Sequence, residues 1–192
     1  MLVEEYFNSQ PENIEFIFYF NKKTSFIPSL SKFTKLKIIN LSFNKLKTLP
    51  DIPNTVENIN IQCNEFLFIP SLPLYLVSLN IHKNKINNIG YNVLPKTLIY
   101  FNCSNNLLVC LPEMSDNLQE LICDNNLLTS LPKLSVNLEI LSFQNNKIGK
   151  INDLPKNLIF FNSYENLDEC QESFIKPEYW KPNINNKLKN KK

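Results

Sequence analysis

The chain has 192 residues, a formal net charge of +2 and 43% hydrophobic residues. These values predict one domain and give no electrostatic reason for its body to bind nucleic acid or a membrane. The sequence contains no run of 18 apolar residues, and its acidic start lacks the apolar core of a signal peptide. We therefore expect neither a membrane helix nor a leader.

The residue usage is biased. Lys, Asn, Ile, Phe and Tyr, which have AT-rich codons, are frequent, whereas Ala and Arg are absent. This bias indicates an AT-rich genome, such as that of a giant DNA virus, a slime mould, an intracellular bacterium or a malaria-type parasite. The five cysteines are odd in number and form no C-x-x-C pair, so neither a disulfide framework nor a metal site is indicated. We expect a reduced, intracellular protein without a cofactor.

After a polar lead-in over residues 1–13, apolar residues recur at a fixed spacing over residues 14–167. The clearest unit, residues 118–132, reads LQELICDNNLLTSLP, with Asn126 between two apolar groups. The same frame recurs 20 residues later, from Leu138, and 20 residues earlier, from Leu98. A period in the low twenties predicts a solenoid in which each unit adds one coil.

Each unit has the same physical logic. The alternating first half predicts a short strand, and successive strands are expected to stack into a parallel sheet. The proline-rich second half is too short for a helix and is expected to return in an extended or polyproline conformation. An Asn between the halves is expected to turn the chain and to bond otherwise unpaired backbone groups. These turn asparagines are Asn44, Asn64, Asn84, Asn106, Asn126 and Asn146.

The end units are degenerate, which makes about eight units in all. Lys22 replaces the turn Asn in the first unit, and the last decays after Asn166. Residues 168–182 are expected to form a C-terminal cap, and residues 183–192 a basic, disordered tail. Leu107 and Leu127 indicate either a second apolar patch or a one-residue register ambiguity at the preceding Asn-Asn pairs.

The L-x-x-L-P-x-L-P spacing of residues 46–53 and 66–73 resembles the short leucine-rich repeats of bacterial secreted effectors, and similar repeats occur in giant-virus proteins. The resemblance implies a repeat solenoid: a leucine-rich-repeat horseshoe with a parallel β-sheet on its concave face, extended convex segments and little helix. It also implies protein–protein recognition on the sheet face. Some bacterial relatives carry a ubiquitin-ligase domain with a catalytic cysteine. Only about 25 residues follow the repeats here, so no catalytic role is carried over to Cys170.

The outward strand positions are the predicted binding surface, because a rigid face with aromatic anchors is where binding energy concentrates. We expect a monomer that binds a protein partner there, with Tyr100 at the centre. The candidate residues are His82, Tyr100, Asp124, Asn80, Asn102, Glu120, Gln144, Phe160 and Tyr164.

Two other functions remain open from the sequence. His82 is the only histidine, and Ser104 and Asp124 occupy the same outward column in the next two units. A hydrolytic site would need these three side chains to converge. Alternatively, the lysine-rich stretch from Lys187 to Lys192 is of a type that contacts nucleic acid.

Overall fold

Three-residue strands, one per repeat, stack in chain order into one sheet. The computed structural model describes residues 2–90, 93–151 and 153–167, so the predicted cap and tail lie outside the described residues. All seven neighbouring pairs are parallel, in the order β1 to β8. This arrangement confirms the predicted parallel solenoid. The strands are β1 Phe16–Phe18, β2 Ile38–Asn40, β3 Asn58–Asn60, β4 Ser78–Asn80, β5 Tyr100–Asn102, β6 Glu120–Ile122, β7 Ile140–Ser142 and β8 Phe160–Asn162.

The apolar positions of each repeat fill the interior of the stack. In the sixth coil, Leu118, Leu121, Cys123 and Leu128 are all buried, and Leu131 is half-buried. Each such side chain contributes roughly 1.5–3 kcal/mol on full burial. One coil alone buries little of this surface, so the stability of the fold depends on stacking.

The turn asparagines bond the backbone of two coils at once. Asn106 donates from Nδ2 to the carbonyl oxygens of Cys103 and Ser104 in its own coil, at 3.1 and 3.2 Å, and to that of Ile81 in the preceding coil, at 3.0 Å. Its Oδ1 accepts from the Ile86 N–H at 3.0 Å. Each turn asparagine repeats this pattern, and Asn166 extends it to the eighth coil. The side chains thus satisfy backbone groups that the turns would otherwise leave unpaired.

The residue before each turn asparagine has a left-handed backbone. Asn105 and Asn125 have φ of 55° and 53°, whereas Asn106 and Asn126 make the turn bonds. The register is therefore unambiguous. Leu107 and Leu127 are 50% and 38% exposed, so the apolar-patch interpretation holds at these two positions.

A helix that the sequence pattern did not indicate lies in the predicted lead-in. Helix α1, Val3–Ser9, buries Phe7 against the first coil. The Phe7 ring centroid lies 5.1 Å from that of Tyr19, and the Tyr6 ring lies 4.7 Å from the same tyrosine. Seven residues are too few for a stable isolated helix, so docking onto the solenoid end stabilises it.

Candidate binding surface

Three columns of side chains line the concave face of the sheet. The outer column consists of Phe16, Ile38, Asn58, Ser78, Tyr100, Glu120, Ile140 and Phe160. The middle column, two residues further along each strand, consists of Phe18, Asn40, Asn60, Asn80, Asn102, Ile122, Ser142 and Asn162. The exit column, just past the strands, consists of Phe20, Ser42, Gln62, His82, Ser104, Asp124, Gln144 and Tyr164. The strands end before the exit column. The prediction that placed His82, Asp124, Gln144 and Tyr164 at strand positions was therefore wrong.

The asparagines of the middle column hydrogen-bond the backbone just past the end of each strand. Asn80 Oδ1 accepts from the His82 N–H at 3.0 Å, and Asn102 Oδ1 accepts from the Ser104 N–H at 3.0 Å. The Asn80 amide also donates to Gln62 at 3.2 Å. Because a side chain that bonds the backbone two residues on stabilises a turn, these half-buried residues have a structural role.

Asp124 has a similar role for the coil that follows it. Ser142 stands where five other coils have Asn, and its hydroxyl donates to Asp124 while the Gln144 N–H donates to the same carboxylate. Asp124 Oδ1 accepts that N–H at 2.9 Å and the Ser142 hydroxyl at 2.6 Å. Burial raises the Asp124 pKa, and its hydrogen bonds with Ser142 and Gln144 oppose the shift. The Asp124 carboxylate thus supplies, from the preceding coil, the oxygen that accepts the Gln144 N–H.

His82 is bonded to the neighbouring serine. Its Nδ1 lies 2.7 Å from Ser104 Oγ, and that hydroxyl donates to Asn102 Oδ1 at 2.6 Å. Since the serine proton points to Asn102, His82 Nδ1 is the donor to Ser104. Burial and the nearby Lys83 lower the His82 pKa, and Asp124 opposes them, so the ring is neutral at pH 7.

The lowered His82 pKa predicts a pH-dependent stability. The unfolded chain takes up the proton at a higher pH than the folded one. The contribution of the neutral ring to the free energy of unfolding is therefore fully present above about pH 6.5 and is lost as the pH falls below that value. We expect the stability of the wild type relative to His82→Gln to decrease from pH 7.5 to pH 5. Chemical denaturation of both proteins at each pH measures this difference. An unchanged difference would mean that burial does not act on the imidazole.

The geometry around His82 does not form a catalytic triad. Ser104 is 4% exposed and donates its proton to Asn102, away from the imidazole. Asp124 bonds Ser142 and Gln144 in the next coil. Ser104 therefore directs its proton to Asn102 and not to His82, and the Asp124 carboxylate bonds the next coil in place of the imidazole.

Two of the thiols are buried. Burial raises the pKa of Cys103 and of Cys123 well above the usual range, so neither forms a thiolate readily. Cys63 is half-buried, also with a raised pKa, and Cys110 is exposed. All four are free, and Cys170 lies outside the described residues. Within residues 2–90, 93–151 and 153–167, no three His, Cys, Asp or Glu side chains gather closely enough to hold a metal ion.

The first coil presents an aromatic cluster that sequence reasoning missed. Phe16, Phe18 and Phe20 are 51%, 52% and 48% exposed and head the outer, middle and exit columns. The Phe16 and Phe18 rings are stacked with centroids 6.4 Å apart. We call these three residues the phenylalanine triplet. Its sequence signal was the F-x-F-x-F alternation, which was overlooked because Lys22 makes this repeat look degenerate.

The remaining predicted site residues are spread along the face. Tyr100 and Glu120 are neighbours in the outer column, both half-buried. His82 and Asp124 lie one coil to either side of Tyr100 but four residues along the strand direction, roughly 13 Å away. Phe160 and Tyr164 lie in the eighth coil, Phe160 half-buried and Tyr164 exposed. The structure therefore does not bring His82 and Asp124 into a ring around Tyr100.

A separate cleft of about 750 Å³ lies on the convex side between the return segments of the sixth and seventh coils. Leu131, Leu134 and Leu154 supply apolar walls, and Lys133 and Lys156 also line the cleft. No helix in the described part of the chain has the length and apolar character needed to cross a lipid bilayer.

Stacked coils of about 20 residues with a parallel sheet define the chain as a β-solenoid. The chain has the leucine-rich-repeat fold, because solved structures of leucine-rich-repeat proteins share this architecture. The leucine-rich-repeat domain of a Shigella effector is 26% identical, with a TM-score of 0.70 over 85% of this chain and 73% of that one. No protein-family model matches the chain, and neither does any curated protein sequence.

Two longer bacterial proteins share the fold. YopM from Yersinia enterocolitica WA-314 is 24% identical, with a TM-score of 0.53 over 69% of this chain and 39% of YopM. InlJ from Listeria monocytogenes is 21% identical, with a TM-score of 0.69 over 79% of this chain and 40% of InlJ. This chain thus spans about two fifths of the length of each.

Proposed function

We propose that this protein is a non-enzymatic recognition module that binds a protein partner through the concave face of its sheet. Solenoids of this type present extended concave surfaces for binding. The Shigella neighbour is an effector, and its fold is the one found here. Only the recognition role is proposed, because the chain spans 39% of YopM and 40% of InlJ.

The phenylalanine triplet is the observation that carries this proposal. Three rings, each about half exposed, lie at one end of the concave face, and those of Phe16 and Phe18 are stacked. Exposed contiguous apolar surface of this kind marks interaction sites in soluble proteins. Strand β1 fixes the backbone of Phe16 and Phe18, so a partner meets these two rings at little cost in conformational entropy.

Tyr100 is proposed as a second anchor in the middle of the same face. Its ring stands in the outer column between Ser78 and Glu120, above the buried strand residue Phe101. An amphipathic ring with a polar neighbour is the type of residue on which binding energy concentrates. The eighth-coil residues Phe160 and Tyr164 extend the aromatic content to the far end.

Removing either anchor is expected to weaken binding. We expect Phe18→Ser and Tyr100→Ala each to cost about 2 kcal/mol of affinity, roughly 30-fold, and to leave folding nearly intact because both side chains point away from the core. A partner captured by the wild-type chain is purified, and its affinity for each variant is measured by titration calorimetry.

The matched control for this experiment is Lys47→Ala. Lys47 is exposed and lies away from the concave columns, whereas Lys133 lines the convex cleft and is unsuitable as a control. The concave site would be wrong if affinity survived both anchor substitutions and was lost in Leu134→Ser at the cleft.

A further inference from the structure

The sheet has an open edge at β1. Strands β2 to β7 each pair on both sides, whereas within the described residues β1 pairs only with β2. Helix α1 precedes β1 and packs on the buried side chain of Tyr19, behind the sheet. Because an edge strand carries N–H and C=O groups that no neighbouring strand bonds, the first coil is a place where the ladder can be extended.

Alternate residues of β1 direct their backbone groups away from β2. Tyr19 donates its N–H to the carbonyl oxygen of Asn40 at 2.9 Å, so the N–H of Tyr19 faces β2. Successive residues of a strand point their N–H and C=O groups to opposite edges, so those of Phe16 and Phe18 face outward. Neither of these two N–H groups has a hydrogen-bond partner within residues 2–90, 93–151 and 153–167.

The outward groups have one weak contact in the described chain. The Tyr6 hydroxyl lies 3.5 Å from the Phe18 carbonyl oxygen, at the long end of hydrogen-bond distances. A carbonyl oxygen has two lone pairs, so this contact leaves it able to accept a second donor. The rings of Phe16 and Phe18 are about half exposed and stacked. Free backbone donors and exposed apolar rings therefore belong to the same two residues.

We infer, on the basis of the proposed function, that the partner supplies an extended segment that adds to this open edge as a further strand. The backbone of the segment bonds the outward N–H and C=O groups of Phe16 and Phe18, which is the bonding mode of β-strand addition. Its side chains alternate between the two faces of the sheet, so every second one lies beside the phenylalanine triplet. These side chains are bulky and apolar, because such neighbours remove the exposed rings from water.

Exposed charges of opposite sign flank the triplet along the chain. Glu12 and Glu15 precede it, and Lys22 and Lys23 follow it. None of these four side chains forms an ion pair with a described residue. Complementary charge favours a segment that is basic at the end beside Glu15 and acidic at the end beside Lys22. The stretch over residues 15–22 sets the length of the segment at about eight residues.

A second copy of this chain fits the edge poorly. Neighbouring strands lie about 4.8 Å apart, whereas a helix with its side chains is about 10 Å wide. Two copies paired through β1 would each bring a helix α1 to the join, behind strands that lie this close. A single extended segment brings no such helix, so the edge suits a stretch of another protein.

A display library of random 12-residue peptides, selected on the full chain, supplies the probe. We expect selected peptides to have apolar residues at alternate positions, a basic residue at one end and an acidic residue at the other. Hydrogen exchange of the full chain is then followed by NMR with and without a selected peptide. We expect exchange of the Phe16 and Phe18 N–H groups to slow about 10-fold or more in the complex, because both enter a ladder. The exposed Lys47 N–H, away from the edge, should keep its rate.

Proline at position 16 isolates the contribution of the backbone. Phe16→Pro and Phe16→Ala both remove the ring, but only proline removes the N–H. The lost N–H faces away from β2, a position at which edge strands tolerate proline, so both variants are expected to fold. We expect Phe16→Pro to bind the selected peptide about 10-fold more weakly than Phe16→Ala. Equal affinities would overturn the added strand, and if Phe16→Pro does not fold, the exchange measurement on the wild type decides.

The flanking charges are tested by reversal. Lys22→Glu combined with Lys23→Glu is expected to weaken binding about 10-fold, and replacing the acidic end of the peptide by a basic one should restore it. The control, Lys147→Glu with Lys150→Glu, makes the same change in net charge at exposed positions of the seventh coil. We expect the control to change affinity less than about 3-fold. Equal losses in the two double variants would overturn the charges assigned to the ends of the segment.

Three outcomes separate the added strand from the proposed function. Peptides that lose binding in Phe18→Ser, yet leave exchange of the Phe16 and Phe18 N–H groups unchanged, would overturn the added strand and leave the concave site standing. Failure to select any peptide, or binding unaffected by every concave change, would overturn both. Self-association of the wild-type chain that is absent in Phe16→Pro would show that a second copy occupies the edge, and would overturn the partner segment.

Discussion

Phe101→Ala is expected to lower the free energy of unfolding by about 3–5 kcal/mol. The Phe101 side chain is fully buried in the fifth coil and stands in register between Leu79 and Leu121 of the adjacent strands. Its truncation leaves a cavity in the middle of the stack, where coils on both sides lose contacts and cannot collapse independently. Urea denaturation followed by circular dichroism measures the change.

The eighth coil offers a matched control for this prediction. Phe161 occupies the same column as Phe101 but is half-buried. Phe161→Ala is therefore expected to cost clearly less, since less surface returns to water. Equal losses at the two positions would show that the position of a coil within the stack does not determine the cost.

Asn106→Ala is expected to lower the free energy of unfolding by about 3 kcal/mol, the upper end of the range for a buried group that loses its partner. The Asn106 side chain makes four hydrogen bonds to backbone groups, and Asn106 is only 6% exposed. Alanine replaces none of them, so the N–H of Ile86 and the carbonyl of Ile81 lose this partner. The same denaturation assay applies.

The adjacent asparagine supplies the comparison. Asn105 is exposed and has φ of 55°, a conformation that glycine adopts without strain. Asn105→Gly is expected to change stability by less than about 1 kcal/mol. If Asn105→Gly were as costly as Asn106→Ala, the turn bonds would not be specific to the second asparagine of the pair.

The repeat pattern was sufficient to predict the parallel stack, because every unit carries the same apolar positions at a fixed period and buries them by stacking on its neighbours. Leu121 and Leu141 have equivalent environments, and the spacing between them sets the register of β6 and β7. Helix α1 could not be found in this way. Its stability comes from packing of Phe7 on Tyr19, a tertiary contact with no periodic signal.

The candidate surface was harder to predict than the fold. Asn80 and Asn102 were expected to face a partner, but both bond the backbone two residues on. Asp124 is similar, since its bonds compensate for Ser142 in the next coil. These structural roles depend on which side-chain atom lies within hydrogen-bond distance of which backbone group, in the same coil or about 20 residues away. The residue types along a column do not give those distances.

The phenylalanine triplet was missed for a different reason. A missing turn Asn at Lys22 suggested a degenerate first repeat, yet β1 pairs with β2 in the same register as the later strands. Side chains of the second coil satisfy the first, because Asn44 Oδ1 accepts from the N–H groups of Lys22 and Thr24. The backbone hydrogen bonds of a coil can therefore be satisfied by the next coil, even where its own sequence departs from the repeat consensus.

Because each coil depends on the next, the coils of the nascent chain fold in order from the N-terminus. The N–H of Leu46 in the second coil donates to Asn64 Oδ1, and the N–H of Leu108 in the fifth coil donates to Asn126 Oδ1. Each acceptor lies 18 residues later in the chain. A coil leaving the ribosome is therefore incompletely bonded until the next asparagine emerges. At roughly 5–20 residues per second, folding follows translation with a delay of about 1–4 seconds per repeat. The growing end of the nascent solenoid is always its least stable coil.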